Sequence, residues 1–141
     1  HYRTFADYIV RYLQAYRREG IPIRGITPVN EPLGNDANWE SLHFTPQLMR
    51  RFIVDHLGPA LAAADLDTAI WIYDQNRDQA LLEWAEVILG DATAARLVAG
   101  VAPQLSARGH NQCVQAAAAG IGQTRGLPDR AVRSEFASQR Q

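Results

Sequence analysis

From Thr4 to Arg18 the apolar residues Phe5, Tyr8, Ile9, Tyr12, Leu13 and Tyr16 recur at spacings of three and four, which predicts an amphipathic helix. Gly20 ends it, and the apolar run 21–29 predicts a strand. A long loop follows to Phe44, rich in Asn, Gly and Asp and carrying Trp39 and His43. Loops of this length between a strand and a helix usually serve function in a compact domain. Thr45 and Pro46 read as an N-cap and a first helical position, and Leu48, Met49, Phe52, Ile53 and Leu57 form the stripe of a second helix. Residues 69–73 are a second strand closed by Asp74, residues 79–89 a third helix and residues 97–102 a third strand. Helices alternating with strands at this rhythm imply right-handed crossovers and a parallel sheet, either doubly wound or part of an eight-stranded barrel. No glycine-rich phosphate loop follows any strand, which argues against a nucleotide site.

The first strand ends in Asn30-Glu31-Pro32. A parallel strand releases its chain into a loop at its carboxyl end, so side chains there face a shared mouth, where α/β proteins do their chemistry. Pro32 biases Glu31 away from the right-handed α region, so the acid does not simply open a helix. Asn30 supplies donors and an acceptor suited to a sugar hydroxyl or a neighbouring carboxylate.

At 141 residues and 47% hydrophobic content the chain has the size and core material of one domain. Its net charge of -1 gives no electrostatic case for nucleic acid or an anionic membrane. Every basic residue is Arg. The lone Cys113 forms no internal disulfide and no thiolate metal site. No apolar run approaches the ~18 residues of a membrane helix. The chain lacks a starting Met and enters a helical pattern at once, which reads as a fragment or a chain cut at its N-terminus. Composition changes after Ala102, so residues 1–102 are expected to form βα units. Residues 103–141, with five Arg, two acids and a single aromatic residue, Phe136, are expected to be a divergent segment. That segment is read as a degenerate strand or as disordered, with weak helix and strand signals at 116–119 and 131–132.

Residues 8–23, Thr27-Pro-Val-Asn-Glu-Pro32, Phe44-Thr-Pro46, Leu57-Gly-Pro-Ala-Leu61 and Ile70-Trp-Ile-Tyr-Asp-Gln-Asn-Arg-Asp78, in this order, resemble glycoside hydrolase family 30, the glucosylceramidase-like enzymes. The similarity covers about residues 2–102. The resemblance implies an incomplete (β/α)8 TIM barrel, about strands 4 to 7 of the parent. It further implies retaining hydrolysis of a β-linked glucoside, oligosaccharide or glycolipid, with no cofactor and a secreted or extracytoplasmic location. Glu31 matches the acid/base after the fourth strand, Asn30 the residue on the sugar 2-hydroxyl, and Asp74 the polar end of the fifth strand; Trp39 falls in the entrance loop.

The pattern departs at Pro103-Gln104-Leu105, where family members carry a His-Trp-Tyr-like run. Glu135 stands three predicted strands after Glu31 and is the candidate for the nucleophile, although Arg133 and Ser134 replace the apolar residues of a buried strand. Strands three apart in an eight-stranded barrel lie about 13 Å from each other, and two inward Glu side chains would leave roughly 5 to 6 Å. Retaining glycosidases use about 5 to 5.5 Å. The alternative is a degenerate, non-catalytic barrel fragment, binding carbohydrate or without function. An unclosed sheet leaves edges and an apolar face uncovered, so non-specific self-association is expected.

Several features have plainer readings. His43 and His56 lack partners at metal-binding spacing, and His43 fits a substrate contact better than a ligand role. The tyrosines of the first helix read as core. Asp74, Arg77 and Asp78 form either a salt-bridge cluster or part of a subsite. The arginines after residue 103 lack interleaved aromatics and read as a solvated tail rather than an RNA site.

Overall fold

The computed structural model describes residues 1–34 and 42–104. The elements are α1 (Tyr2–Arg18), β1 (Gly25–Ile26), α2 (Pro46–Phe52), a π-helical turn (Ile53–Leu57), α3 (Gly58–Ala63), β2 (Ala69–Ile72), α4 (Ala80–Leu89), α5 (Ala92–Leu97) and β3 (Val98–Val101). The strands form one parallel sheet in the order β1-β2-β3. Register pairs Gly25 with Ala69 and Ile26 with Ile70, then Trp71 with Gly100 and Ile72 with Val101.

α1 buries Ala6, Ile9 and Leu13 and ends in a Schellman turn. There Gly20, at φ 77, donates to the Arg17 carbonyl and Ile21 donates to that of Tyr16. Tyr8, Tyr12 and Tyr16 do not join the core. They are 64%, 42% and 40% exposed, because their row is turned away from the buried stripe. Tyr8 and Tyr12 line an apolar groove with Phe5, Ile9 and residues 26–28, beside the outer edge of β1. The Tyr16 ring lies 4.7 Å from that of Tyr12.

The first strand is far shorter than the apolar run 21–29. Pro22 and Pro28 have no N–H to place in a ladder, which confines regular pairing to Gly25–Ile26. The chain nevertheless stays beside its neighbour and rejoins it through an isolated parallel bridge between Asn30 and Asp74.

The second helix begins as read, with the Thr45 hydroxyl accepting from the Leu48 N–H at 3.2 Å. It then widens to a π turn just before Pro59. Proline has no N–H for the carbonyl four residues back, and its ring crowds that carbonyl; a wider turn there relieves both problems. The short α5 is not among the elements predicted by periodicity, because one turn and a half shows no stripe. Its start is set by Asp91, whose Oδ1 accepts from the Thr93 and Ala94 N–H groups at 2.9 Å each.

Ile70, Ile72 and Val98 share one buried core with Phe52, Ile53, Leu57, Trp84 and Ile88 from the helices. Trp71, between Ile70 and Ile72 on the strand, lies on the other face. A Cβ added at Gly25 or Gly100 would meet its indole at 2.9 or 2.8 Å. One large side chain thus spans the glycines of both neighbouring strands, as interior layers of parallel barrels alternate bulk and space.

At Gly58 a Cβ would lie 2.8 Å from the Leu97 side chain and 3.0 Å from the Ile53 carbonyl oxygen. Gly58→Ala is therefore predicted to destabilise the fold by about 1–3 kcal/mol in a urea melt. An unchanged midpoint would contradict this packing. A second expectation concerns acid. The Ala94 N–H above all, then Arg50 at 2.8 Å and the Thr93 N–H, hold the Asp91 carboxyl below its ordinary range against some desolvation. Stability from this group is complete above the ordinary aspartate value of about 3.9 and is lost as pH falls through the lowered one. The Tm advantage of wild type over Asp91→Asn should accordingly be present at pH 6 and shrink in the acid range; a constant difference would contradict it.

Candidate functional site

The carboxyl ends of the three strands meet at one rim. After β1 come Asn30 and Glu31, after β2 come Asp74, Gln75 and Asn76, and after β3 comes Gln104, with parallel bridges Asn30–Asp74 and Asn76–Gln104. Backbone hydrogen bonds continue the ladder past the last regular strand residues. Ala102 donates to the Ile72 carbonyl at 2.8 Å, Gln104 to that of Gln75 at 2.8 Å, and Glu31 to that of Asp74 at 2.7 Å.

Asp74 is the common acceptor. Its Oδ2 accepts from the Thr27 hydroxyl at 2.6 Å, its Oδ1 from Gln104 Nε2 at 3.1 Å, and its carbonyl from the same Nε2 at 3.3 Å. Gln104 Nε2 also reaches Asn30 Oδ1 at 2.8 Å. The salt-bridge reading of Asp74, Arg77 and Asp78 does not hold among the described residues: Asp78 instead accepts the Tyr73 hydroxyl and the Ala80 N–H, and Asp74 turns to the rim.

Both strand ends are bent by residues in the left-handed region, Glu31 at φ 47 and Tyr73 at φ 61. Glu31 avoids the right-handed α region, as Pro32 requires, but takes this strained conformation rather than the extended one. Two hydrogen bonds hold it there, from its N–H to Asp74 and from the Gly34 N–H to its carbonyl at 2.9 Å. Pro32 is buried beneath it, and the Pro32 carbonyl accepts from Phe44 at 2.8 Å, tying the far end of the loop back to the rim. The Glu31 side chain is partly exposed and makes no hydrogen bond or ion pair among the described residues. Asn30 is exposed. A carboxylic acid beside an amide and a second carboxylate can deliver and recover a proton at a polyhydroxyl ligand.

Asn30, Glu31 and Asp74 thus stand together at this rim. Trp39 and Glu135 lie outside the described residues. His43 is exposed on the returning loop, and His56 packs against the Tyr2 and Phe52 rings at 5.7 and 6.4 Å. Thr27 and Gln104 had not been read as site residues. Thr27 carried a signal, a polar residue two before Val29 and four before Glu31 and so on their face of the strand. Gln104 stands at the lip of the third strand, where Glu31 and Asp74 stand on the first two.

Residues 1–125 match the sequence profile described as the glycosyl hydrolase family 30 TIM-barrel domain. The chain belongs to glycosyl hydrolase family 30. It is 41% identical over 106 residues to the lysosomal acid glucosylceramidase of Mus musculus, covering 72% of this chain and 20% of the relative. It is 45% identical over 75 residues to an endo-1,6-beta-D-glucanase of Neurospora crassa, covering 53% of this chain and 16% of the relative. Among solved structures, SrfJ from Salmonella typhimurium is 33% identical with a TM-score of 0.65, over 71% of this chain and 22% of that one. An endo-beta1,6-glucanase is 35% identical at a TM-score of 0.65, over 72% and 23%. The chain thus spans about a fifth of the length of the curated glucosylceramidase it matches. The three parallel strands with their flanking helices are part of a family 30 barrel domain.

Strain at Glu31 has a measurable consequence. Glycine tolerates positive φ and alanine does not, so Glu31→Gly should be more stable than Glu31→Ala by about 1 kcal/mol in denaturant titrations. Equal stability, or alanine the more stable, would mean that Glu31 is not held at positive φ in solution.

Proposed function

We propose that this chain carries the acid/base half of a retaining β-glycosidase site, with its three strands as the fourth to sixth of a family 30 barrel. Glu31 is the proton donor and acceptor, Asn30 binds a sugar hydroxyl, and Asp74 lines the sugar subsite. The supporting observation is the convergence of Asn30, Glu31 and Asp74 on one rim, joined by the 2.7 Å bond from the Glu31 N–H to the Asp74 carbonyl.

The chemistry follows from that arrangement. A carboxylate on a later strand attacks the anomeric carbon while protonated Glu31 donates to the leaving oxygen; Glu31 then takes a proton from water as the glycosyl-enzyme ester is hydrolysed. Glu135 is the candidate nucleophile within this chain. The relatives' printed activities, on glucosylceramide and on β-1,6-glucan, share a β-linked glucosyl unit, which we take as the substrate class. The described strands number three, against eight in a closed barrel, so the 141-residue chain by itself is proposed to be inactive.

Two assays test this. The purified chain should release no chromophore from an aryl β-glucoside, and release that disappears in Glu31→Gln would overturn the inactivity. A chimera in which residues 1–104 replace the matching segment of the mouse glucosylceramidase should hydrolyse the same glucoside. Glu31→Gln in that chimera should lower kcat by about 10²–10⁴-fold, with azide restoring turnover of a dinitrophenyl glucoside. A chimera whose activity is indifferent to Glu31→Gln would remove the acid/base assignment.

A further inference from the structure

The hydrogen bonds around Gln104 determine which way two side-chain amides face. The carboxylate and the main-chain carbonyl of Asp74 can only accept, and Gln104 approaches them at 3.1 and 3.3 Å. The end of its amide that lies there must be the NH₂, since its oxygen would otherwise oppose two acceptors. That same Nε2 lies 2.8 Å from the Asn30 side chain, so Asn30 must meet it with Oδ1. Two hydrogens serve three acceptors, with the Asp74 carbonyl, the most distant, sharing one. Asp74 cannot easily rotate to relax the pattern, because its other oxygen holds the Thr27 hydroxyl at 2.6 Å and its carbonyl holds the Glu31 N–H at 2.7 Å. The remaining group, the Asn30 NH₂, makes no hydrogen bond among the described residues, and Asn30 is exposed.

We propose that Gln104 is a positioning residue that locks the Asn30 amide with its NH₂ outward, so that the rim offers its ligand a hydrogen-bond donor at this point and not an acceptor. The inference rests on the reading of the rim as a sugar site and deepens it. The ligand atom facing Asn30 is then a hydroxyl oxygen that accepts here and gives its own proton elsewhere. The orientation originates at Asp74 and reaches Asn30 through Gln104, so the amide needs no reorientation on binding.

Side-chain NH₂ resonances of the full chain test this without relying on turnover. In wild type the Gln104 NH₂ signals should be displaced from the free-amide position and return toward it in Asn30→Ala. Gln104→Glu puts an acceptor where Asp74 offers only acceptors, so it should leave the Asn30 amide unlocked and shift its NH₂ signals while the backbone spectrum persists. Gln104→His, a planar N–H donor, should restore them. Titration with gentiobiose, a β-1,6-linked glucose disaccharide, should move the Asn30 NH₂ in wild type, with affinity about tenfold weaker in Gln104→Glu. Free-position Gln104 signals in wild type, or Asn30 signals and gentiobiose affinity unchanged in Gln104→Glu, would overturn the proposal. Shifts in the sugar-free spectra as expected, with no response of wild type to gentiobiose, would uphold the orientation and instead count against the sugar-site reading.

Discussion

Asp74 is the acceptor on which the rim depends. Strand ends are where a sheet loses its regular ladder, and each loose N–H or side-chain amide there needs a partner or water. From the end of the second strand Asp74 supplies partners to both neighbouring strands at once: its carbonyl to Glu31 and its carboxylate to Thr27, both after β1, and its carboxylate to Gln104 after β3. Bonds to an ionised acceptor are stronger than neutral ones, so the junction resists fraying despite its partial exposure. Without it, β1 would rest on two regular residues between prolines, too little to hold a side chain in register.

The same junction sustains a conformation that the chain would not choose freely. Glu31 at positive φ is disfavoured for a residue with a side chain, and such strain persists only where neighbours over-determine it. The two backbone bonds at Glu31, the buried Pro32 and the returning Phe44 do this. Stability drawn from the helical core, where Phe52, Ile53, Leu57 and Ile88 are fully buried, offsets that cost at the rim. Core and rim are thus separate halves of one arrangement, joined along β2.

Much of this is legible in the amino-acid sequence alone. The stripe of α1, the Thr45-Pro46 start, the apolar run ending at Asp74 and the Asn-Glu-Pro step each follow from local rules and need no tertiary context. What escaped was set by contacts across the chain or by single residues overriding a pattern. Prolines at 22 and 28 cut a long apolar run down to a short strand. Pro59 turned part of a helix into a π turn. Tyr8, Tyr12 and Tyr16 fit a helical stripe but are exposed, Tyr8 and Tyr12 beside the open edge of β1, which periodicity cannot distinguish from a core. Gln104 was passed over because its meaning lies in Asn30 and Asp74, seventy-four and thirty positions away.

The central claim is that three strand ends are knit into one rim through Asp74 and its neighbour. Amide hydrogen exchange of the full chain measures it most directly, at Glu31, which donates to Asp74, and at Gln104, which donates to Gln75. Both amides lie beyond the regular strands, yet both should exchange as slowly as the paired amides of β2. Exchange at the rate of free loop amides at either position would contradict the account.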